Sequence, residues 1–157
     1  MSPENLQCKT GMNQSPIDIS HTLAAHVAPL ESNYPDSPEG VLNNGHTVQA
    51  MMAATSNDTV TIDGKAFRLQ QFHFHAPSEN TLNGKHAAME LHLVHKNAEG
   101  ELAVVAVMFN VGVANDELTD FGSRCRRKLK PSSRWLGKST SASFCLPIKP
   151  IIASAVR

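Results

Sequence analysis

The chain has 157 residues, 41% hydrophobic and 18% charged, which suits one globular domain and excludes a disordered chain. Its formal net charge of zero argues against a nucleic-acid binder. The longest apolar run, Leu102 to Phe109, is far too short to span a bilayer, so no membrane partner is expected.

In chain order, residues 1–20 show no basic start followed by a long apolar stretch, so no signal peptide is visible. Residues 1–45 are rich in turn formers, among them Ser15-Pro16, Tyr34-Pro35, Ser37-Pro38 and Asn43-Asn44-Gly45, and read as loop with short extended pieces. Strand patterning begins at Thr47. Thr59 to Ile62 alternates, Asp63-Gly64 signals a tight turn, and Phe67 to His75 alternates again, which predicts a hairpin. His86 to His95 reads as a third strand and Leu102 to Val111 as a fourth, joined by Asn97-Ala98-Glu99-Gly100. The fourth is apolar on both faces, as in the middle of a covered sheet. Asn115 to Asp120 marks a helix start that is cut short. The class is mainly β, with an antiparallel central sheet.

Charge is divided unevenly. Residues 1–120 hold all 14 acidic residues and five basic ones, whereas 121–157 hold nine basic residues and no acidic one. All eight histidines lie at or before His95. The three cysteines, Cys8, Cys125 and Cys145, lack metal-motif spacing and imply no disulfide by themselves.

The histidines carry the chemistry. Strand alternation puts Gln71, His73 and His75 on one face, and Phe72 and Phe74 on the other. On the next strand Glu90, His92 and Val94 share a face, opposite Leu91, Leu93 and His95. If the strands pair, His73, His75 and His92 converge, and three neutral imidazoles with one open position suit a catalytic zinc at Zn–N distances of ~2.0–2.1 Å. Zinc held this way leaves a bound water able to ionise near pH ~7. Gln71 and Glu90 each sit two residues from a ligand on its own face, where each could accept that ligand's second N–H. His95 faces away and reads as structural; His21, His26 and His86 read as surface residues, and Met51, Met52 and Met89 as core fillers. A second metal reading is open: His73-Phe74-His75-Ala76-Pro77-Ser78-Glu79 fits the start of a cupin metal motif with Glu79 as ligand, although Phe67 and His86 stand where that motif wants glycine.

With Gln71-Phe72-His73-Phe74-His75, Ser78-Glu79 and Glu90-Leu91-His92-Leu93-Val94-His95, the chain resembles the α-class carbonic anhydrases, bacterial type, over roughly residues 5–118. Gln14-Ser15-Pro16-Ile17-Asp18-Ile19, Asn43-Asn44-Gly45-His46 and Leu102-Ala103-Val104-Val105 are similar to further family segments, in the same order. The resemblance implies zinc on His73, His75 and His92 at the bottom of a cleft, with Gln71 and Glu90 as acceptors for His73 and His92. It makes His46 the proton shuttle and Glu79 the carboxylate that orients a threonine hydroxyl at the zinc site. Asn44 and Gln49 fall on the water-filled side, and Val94 and Val104 on the apolar wall that holds carbon dioxide. The implied activity is reversible hydration of carbon dioxide to bicarbonate and a proton. Bacterial members are typically periplasmic or secreted; without a signal peptide this chain, made as given, would stay cytoplasmic. Nothing in the sequence indicates an oligomeric state.

After Thr119 the resemblance stops. The family's Leu-Thr-Thr-Pro-Pro-Cys segment, which supplies the threonine, part of the wall and a disulfide partner for Cys8, does not occur. A shift of reading frame lets Phe144 onward encode Leu-Pro-Ala-Asp-Lys-Ala-Tyr-Tyr-Arg-Phe-Ser-Gly-Ser, similar to the family segment just before it. The same shift lets Thr119–Arg126 encode Leu-Trp-Gln-x-Met-Pro. The reading is therefore a partial domain over 1–119, a sheet incomplete on its C-terminal side, and a non-native basic tail over 120–157 with few contacts to the sheet. Zinc binding without turnover is the rival to full activity.

Overall fold

A computed structural model of the chain describes residues 15–21, 28–43, 47–116, 118–119, 121–122 and 148–156. The strands are β1 (Asp18–Ile19), β2 (Glu31–Asn33), β3 (Gly40–Asn43), β4 (Val48–Met51), β5 (Thr59–Ile62), β6 (Lys65–His75), β7 (Thr81–Leu82), β8 (Lys85–His86), β9 (Met89–Lys96), β10 (Leu102–Val111) and β11 (Ile148–Val156). The main sheet runs β11-β10-β9-β6-β4-β3, with β5 also on β6 and β2 on β5; a small sheet holds β1-β7-β8. Every pairing in the main sheet is antiparallel. Among the described residues no helix is long and apolar enough to cross a membrane.

Local chemistry sets the turns. Asp63 and Gly64 take φ of 48° and 76° between β5 and β6, and Asn83 and Gly84 take 50° and 73° between β7 and β8. Two successive left-handed residues are what a two-residue hairpin turn demands, and Asp-Gly and Asn-Gly supply them most easily. Asn97 closes the β9–β10 turn, its Oδ1 accepting from Glu101 N at 2.8 Å.

The core lies on one face of the sheet. Val60, Phe67, Ala103 and Val105 form one buried cluster, flanked by Ile62 and Leu93. Met89 and Phe109 form another with Phe74, Leu91, Val107 and Leu118. Full burial of such side chains contributes ~1.5–3 kcal/mol each. His95 is fully buried on this face, its Nε2 3.0 Å from the Tyr34 hydroxyl, in keeping with a structural histidine. Burial holds its pKa below the usual histidine value.

A bulge interrupts the pairing of β6 with β9. Leu69 pairs with His95, but the next paired residue, Gln71, pairs with Val94, so one extra residue sits on β6. Odd-numbered residues of β6 thus face the core up to Leu69, and the opposite side from Gln71 onward.

Two expectations need correction. The strand expected over His86 to His95 is broken: β8 belongs to the small sheet and β9 begins at Met89. Ser78 competes for the backbone there, its N donating to Ala87 O at 3.1 Å and its Oγ accepting from Ala87 N at 2.8 Å. The tail was expected to make few contacts. Instead Phe121 packs on Phe72 and Phe74, with ring centroids 5.3 and 5.7 Å apart, and β11 pairs along β10 from Val111↔Ile148 to Val104↔Val156. The Ser-, Lys- and Arg-rich stretch Ser123 to Lys138, on which that expectation rested, lies outside the described residues, whereas 148–156 is the apolar end of the tail and β10 offers it a strand edge. Asn115 begins a helical turn as expected, its Oδ1 accepting from Leu118 N and its carbonyl from Thr119 N, both at 3.0 Å.

Candidate metal centre

Strand register builds the site. β6 and β9 place His73 opposite His92, His75 opposite Glu90 and Gln71 opposite Val94. β4 brings Gln49 opposite His73. β10 sets Val104 opposite Val94 and Ala106 opposite His92. Because side chains alternate, all of these share the face turned away from the two apolar clusters.

His73, His75 and His92 are half-buried, and their candidate ligand atoms all lie within 4.8 Å of one another. The ring centroids are 4.9 Å apart for His73–His75, 5.3 Å for His73–His92 and 4.8 Å for His75–His92. A small contraction would bring three nitrogens to the ~2.0–2.1 Å radius of a tetrahedral ion.

One nitrogen of each ring faces an acceptor. His73 Nδ1 lies 2.9 Å from Gln71 Oε1, His92 Nε2 lies 3.2 Å from Glu90 Oε1, and His75 Nδ1 lies 3.4 Å from Glu79 Oε1. This leaves His73 Nε2, His75 Nε2 and His92 Nδ1 to face one another. His75 Nε2 is buried and has no hydrogen-bond partner, an arrangement that a metal ion would resolve. Burial, together with the neighbouring His75 and His92, pushes the His73 pKa down to about 4, so its imidazole is neutral and its lone pair available near neutral pH. The three nitrogens fit a divalent transition metal.

Glu90 is the anchor beneath the cluster. It is fully buried, and its Oε2 accepts from Glu79 N at 2.8 Å and Asn80 N at 3.0 Å, while Oε1 accepts from Asn80 Nδ2 at 2.6 Å. Burial alone would raise its pKa; the hydrogen bonds from Asn80, with His92 beside it, outweigh burial and hold the carboxyl below the usual range.

The remaining predicted residues divide as follows. Val94 and Val104 are half-buried neighbours, and Val104 lines a cavity of ≈ 260 Å³ with Ser15, Pro16, Glu79, Asn80, His92, Leu102 and Ala106. Gln49 stands opposite His73 but is not among the residues lining that cavity. Glu79 is exposed at its tip and faces two histidines, its Oε2 3.9 Å from His92 Nδ1. His46 and Asn44 lie outside the described residues, as does Cys8. Sequence reasoning missed Asn80. Its Oδ1 accepts from Ile17 N at 2.8 Å, so it ties the Ser15-Pro16-Ile17 segment to Glu90. Its signal was its position directly after Ser78-Glu79.

The profile of the eukaryotic-type carbonic anhydrase family matches residues 2–144. The carbonic anhydrase of Klebsiella pneumoniae is 59% identical over 118 residues, covering 75% of this chain and 48% of that protein. That of Pectobacterium carotovorum is 46% identical over 118 residues, with the same coverage of 75% and 48%. Among solved structures, the Photobacterium profundum α-carbonic anhydrase superposes with a TM-score of 0.70 at 50% identity, over 75% of this chain and 54% of that one. The Thermovibrio ammonificans α-carbonic anhydrase in complex with sulfanilamide gives a TM-score of 0.72 at 47% identity, over 78% and 54%. The chain spans about half the length of the curated relatives it matches.

Proposed function

Because this chain belongs to the eukaryotic-type carbonic anhydrase family, we propose that His73, His75 and His92 hold a zinc ion and that the adjoining cleft hydrates carbon dioxide reversibly to bicarbonate and a proton. The cupin reading is set aside by the same membership. The observation that carries the proposal is the trio of imidazoles, each with one nitrogen against an acceptor and the other turned inward. Bound there, zinc would supply the Lewis acidity that ionises water near neutral pH.

The chain's own residues do the rest. Gln71 and Glu90 hold His73 and His92 in the tautomers that present Nε2 and Nδ1. Val94, Val104 and Ala106 give one wall of the site an apolar surface suited to carbon dioxide. His46 is the proposed proton carrier, an imidazole being the side chain suited to exchanging protons with buffer. Asn44 and Gln49 are proposed to line the polar side.

A second reading, zinc binding without turnover, is favoured by Glu79. The resemblance assigns its carboxylate to a threonine hydroxyl, yet here it points at His75 and His92. Stopped-flow carbon dioxide hydration on the zinc-loaded chain separates the two. Turnover abolished by His92→Ala supports catalysis; stoichiometric zinc with no turnover supports the second reading; no zinc, or zinc unaffected by His92→Ala, overturns both.

The out-of-frame tail belongs to the same proposal. The family match runs on to residue 144, beyond Thr119, so the alternative-frame peptides alone support this part of the proposal. The nucleotide sequence across codons 115–160 tests it, and a frame with no family-like alternative refutes it.

A further inference from the structure

We propose that Asn83-Gly84 is a deamidation site held in check by Asp18, whose carboxylate occupies the backbone N–H that the reaction must use. Asparagine is a thermolabile residue, and the sequence pairs it with a following glycine twice, at Asn44-Gly45 and Asn83-Gly84. Glycine has no side chain to shield its own nitrogen from the preceding amide. The second pair forms the exposed turn between β7 and β8, and the space beside Gly84 is open. In the reaction Gly84 N loses its proton and attacks Asn83 Cγ. The N–Cγ bond forms, the Cγ–Nδ2 bond breaks, and the amide nitrogen leaves as ammonia, taking up that proton, to give a cyclic imide. Solvent water then opens either imide carbonyl and leaves aspartate or isoaspartate.

The fold holds the atom that this route consumes. Gly84 N donates to Asp18 Oδ1 at 2.8 Å, and Thr81 Oγ1 donates to the same oxygen at 2.7 Å. Asn83 N donates to Ile19 O at 3.3 Å, and β1 runs beside β7 with Asp18 opposite Thr81 and Ile19 opposite Leu82. The imide leaves Gly84 N without a proton, so the Asp18 bond must be lost before the ring closes. Asp18 does not act as the base. The hydrogen bonds from Gly84 N and then from the Thr81 hydroxyl hold its carboxyl below the usual range, and so weak a base does not strip a backbone N–H. Its negative charge also disfavours the amide anion that would form beside it. The check matters because isoaspartate adds a methylene to the backbone of a two-residue turn. From that turn β7 leads straight back to Asn80, which donates to both Glu90 oxygens.

Peptide mapping by mass spectrometry of the full-length chain, incubated in mildly alkaline buffer, reads the conversion. Tryptic peptides 69–85 and 10–65 separate Asn83 from Asn44, and fragment spectra separate Asn83 from Asn80. In the folded wild type Asn83 should convert ~10-fold more slowly than in the same chain denatured in guanidinium chloride, the factor that one exposed charge-assisted hydrogen bond amounts to. Asp18→Ala, with its fold checked by circular dichroism, should convert ~10-fold faster than the folded wild type. Asp18→Asn keeps an acceptor oxygen and loses the charge, and should fall between the two. In guanidinium chloride all three chains should convert alike. A folded wild type that converts Asn83 as fast as the denatured chain overturns the proposal, as does a folded Asp18→Ala no faster than wild type. Should Asp18→Ala fail to fold, Asp18→Asn carries the test, and no acceleration over wild type overturns the proposal.

Discussion

Removing the Glu90 carboxylate should cost a large share of this fold's stability even without metal. Glu90 is 0% exposed and receives three N–H bonds of 3.0 Å or less, with His92 Nε2 at 3.2 Å as a fourth neighbour. Hydrogen bonds to a charged group are worth ~1.5–3 kcal/mol each, and breaking a buried charge network costs ~3–5 kcal/mol, so Glu90→Ala should lose ~3–5 kcal/mol. Whole-domain stabilities are only ~5–15 kcal/mol. Glu90→Gln is the sharper variant, because shape is kept and only the donor–acceptor pattern changes. Oε2 faces two backbone N–H groups and Oε1 faces Asn80 Nδ2 and His92 Nε2. Whichever way the amide turns, its NH₂ group meets donors, so a loss of ~2–4 kcal/mol is expected. Urea unfolding of the metal-free chain, followed by circular dichroism with an unchanged m-value, measures both variants. A Glu90→Gln protein within ~0.5 kcal/mol of wild type would refute the reasoning, since that is the range of an inert surface change.

Met108, fully buried opposite Glu90, should lose ~2–5 kcal/mol as Met108→Ala but under ~1.5 kcal/mol as Met108→Leu, by the same urea assay. Asn115→Ala removes the cap that accepts from Leu118 N and should cost ~1 kcal/mol, again read by urea unfolding. Tyr34 is the one tyrosine in the chain, and burial, then the nearby Asp58, push its phenol up to about 12. Tyrosinate absorbance should therefore rise near pH 12 in the folded chain but near ~10 in denaturant. With the folded value raised, this group's contribution to stability is complete below pH ~10 and is lost as pH climbs toward 12. A folded-state titration at the denatured value would contradict that environment.

The site was legible because a strand has period two. Alternation alone put Gln71, His73 and His75 on one face and Glu90, His92 and Val94 on another, and pairing β6 with β9 merges them. The acceptor roles of Gln71 and Glu90 follow from the same spacing. The break at Ala87-Ala88 was not legible, because Ser78 causes it from nine residues away through its backbone and hydroxyl. Asn80 was missed for a similar reason: its partners Ile17 and Glu90 are distant in sequence. β11 was not legible because the Ser-, Lys- and Arg-rich stretch makes the whole of 120–157 read as a non-native tail; Pro150 is compatible with the sheet edge where β11 runs.

The extra residue between Leu69 and Gln71 makes the metal centre depend on a count as well as on chemistry. Phe67 and Leu69 are odd-numbered and buried on the core side; His73 and His75 are odd-numbered too, yet serve the opposite side. One strand carries out both tasks only because its parity is reset once along its length. Gln70 sits at the reset, its Nε2 donating to Arg68 O at 3.2 Å and its carbonyl accepting from Met52 N at 3.0 Å. Deleting it would leave the flanking residues unchanged while turning either the core residues or the histidines to the wrong side. Such a centre is robust to spelling changes and fragile to changes of length, and this vulnerability lies at a residue that is not itself a metal ligand.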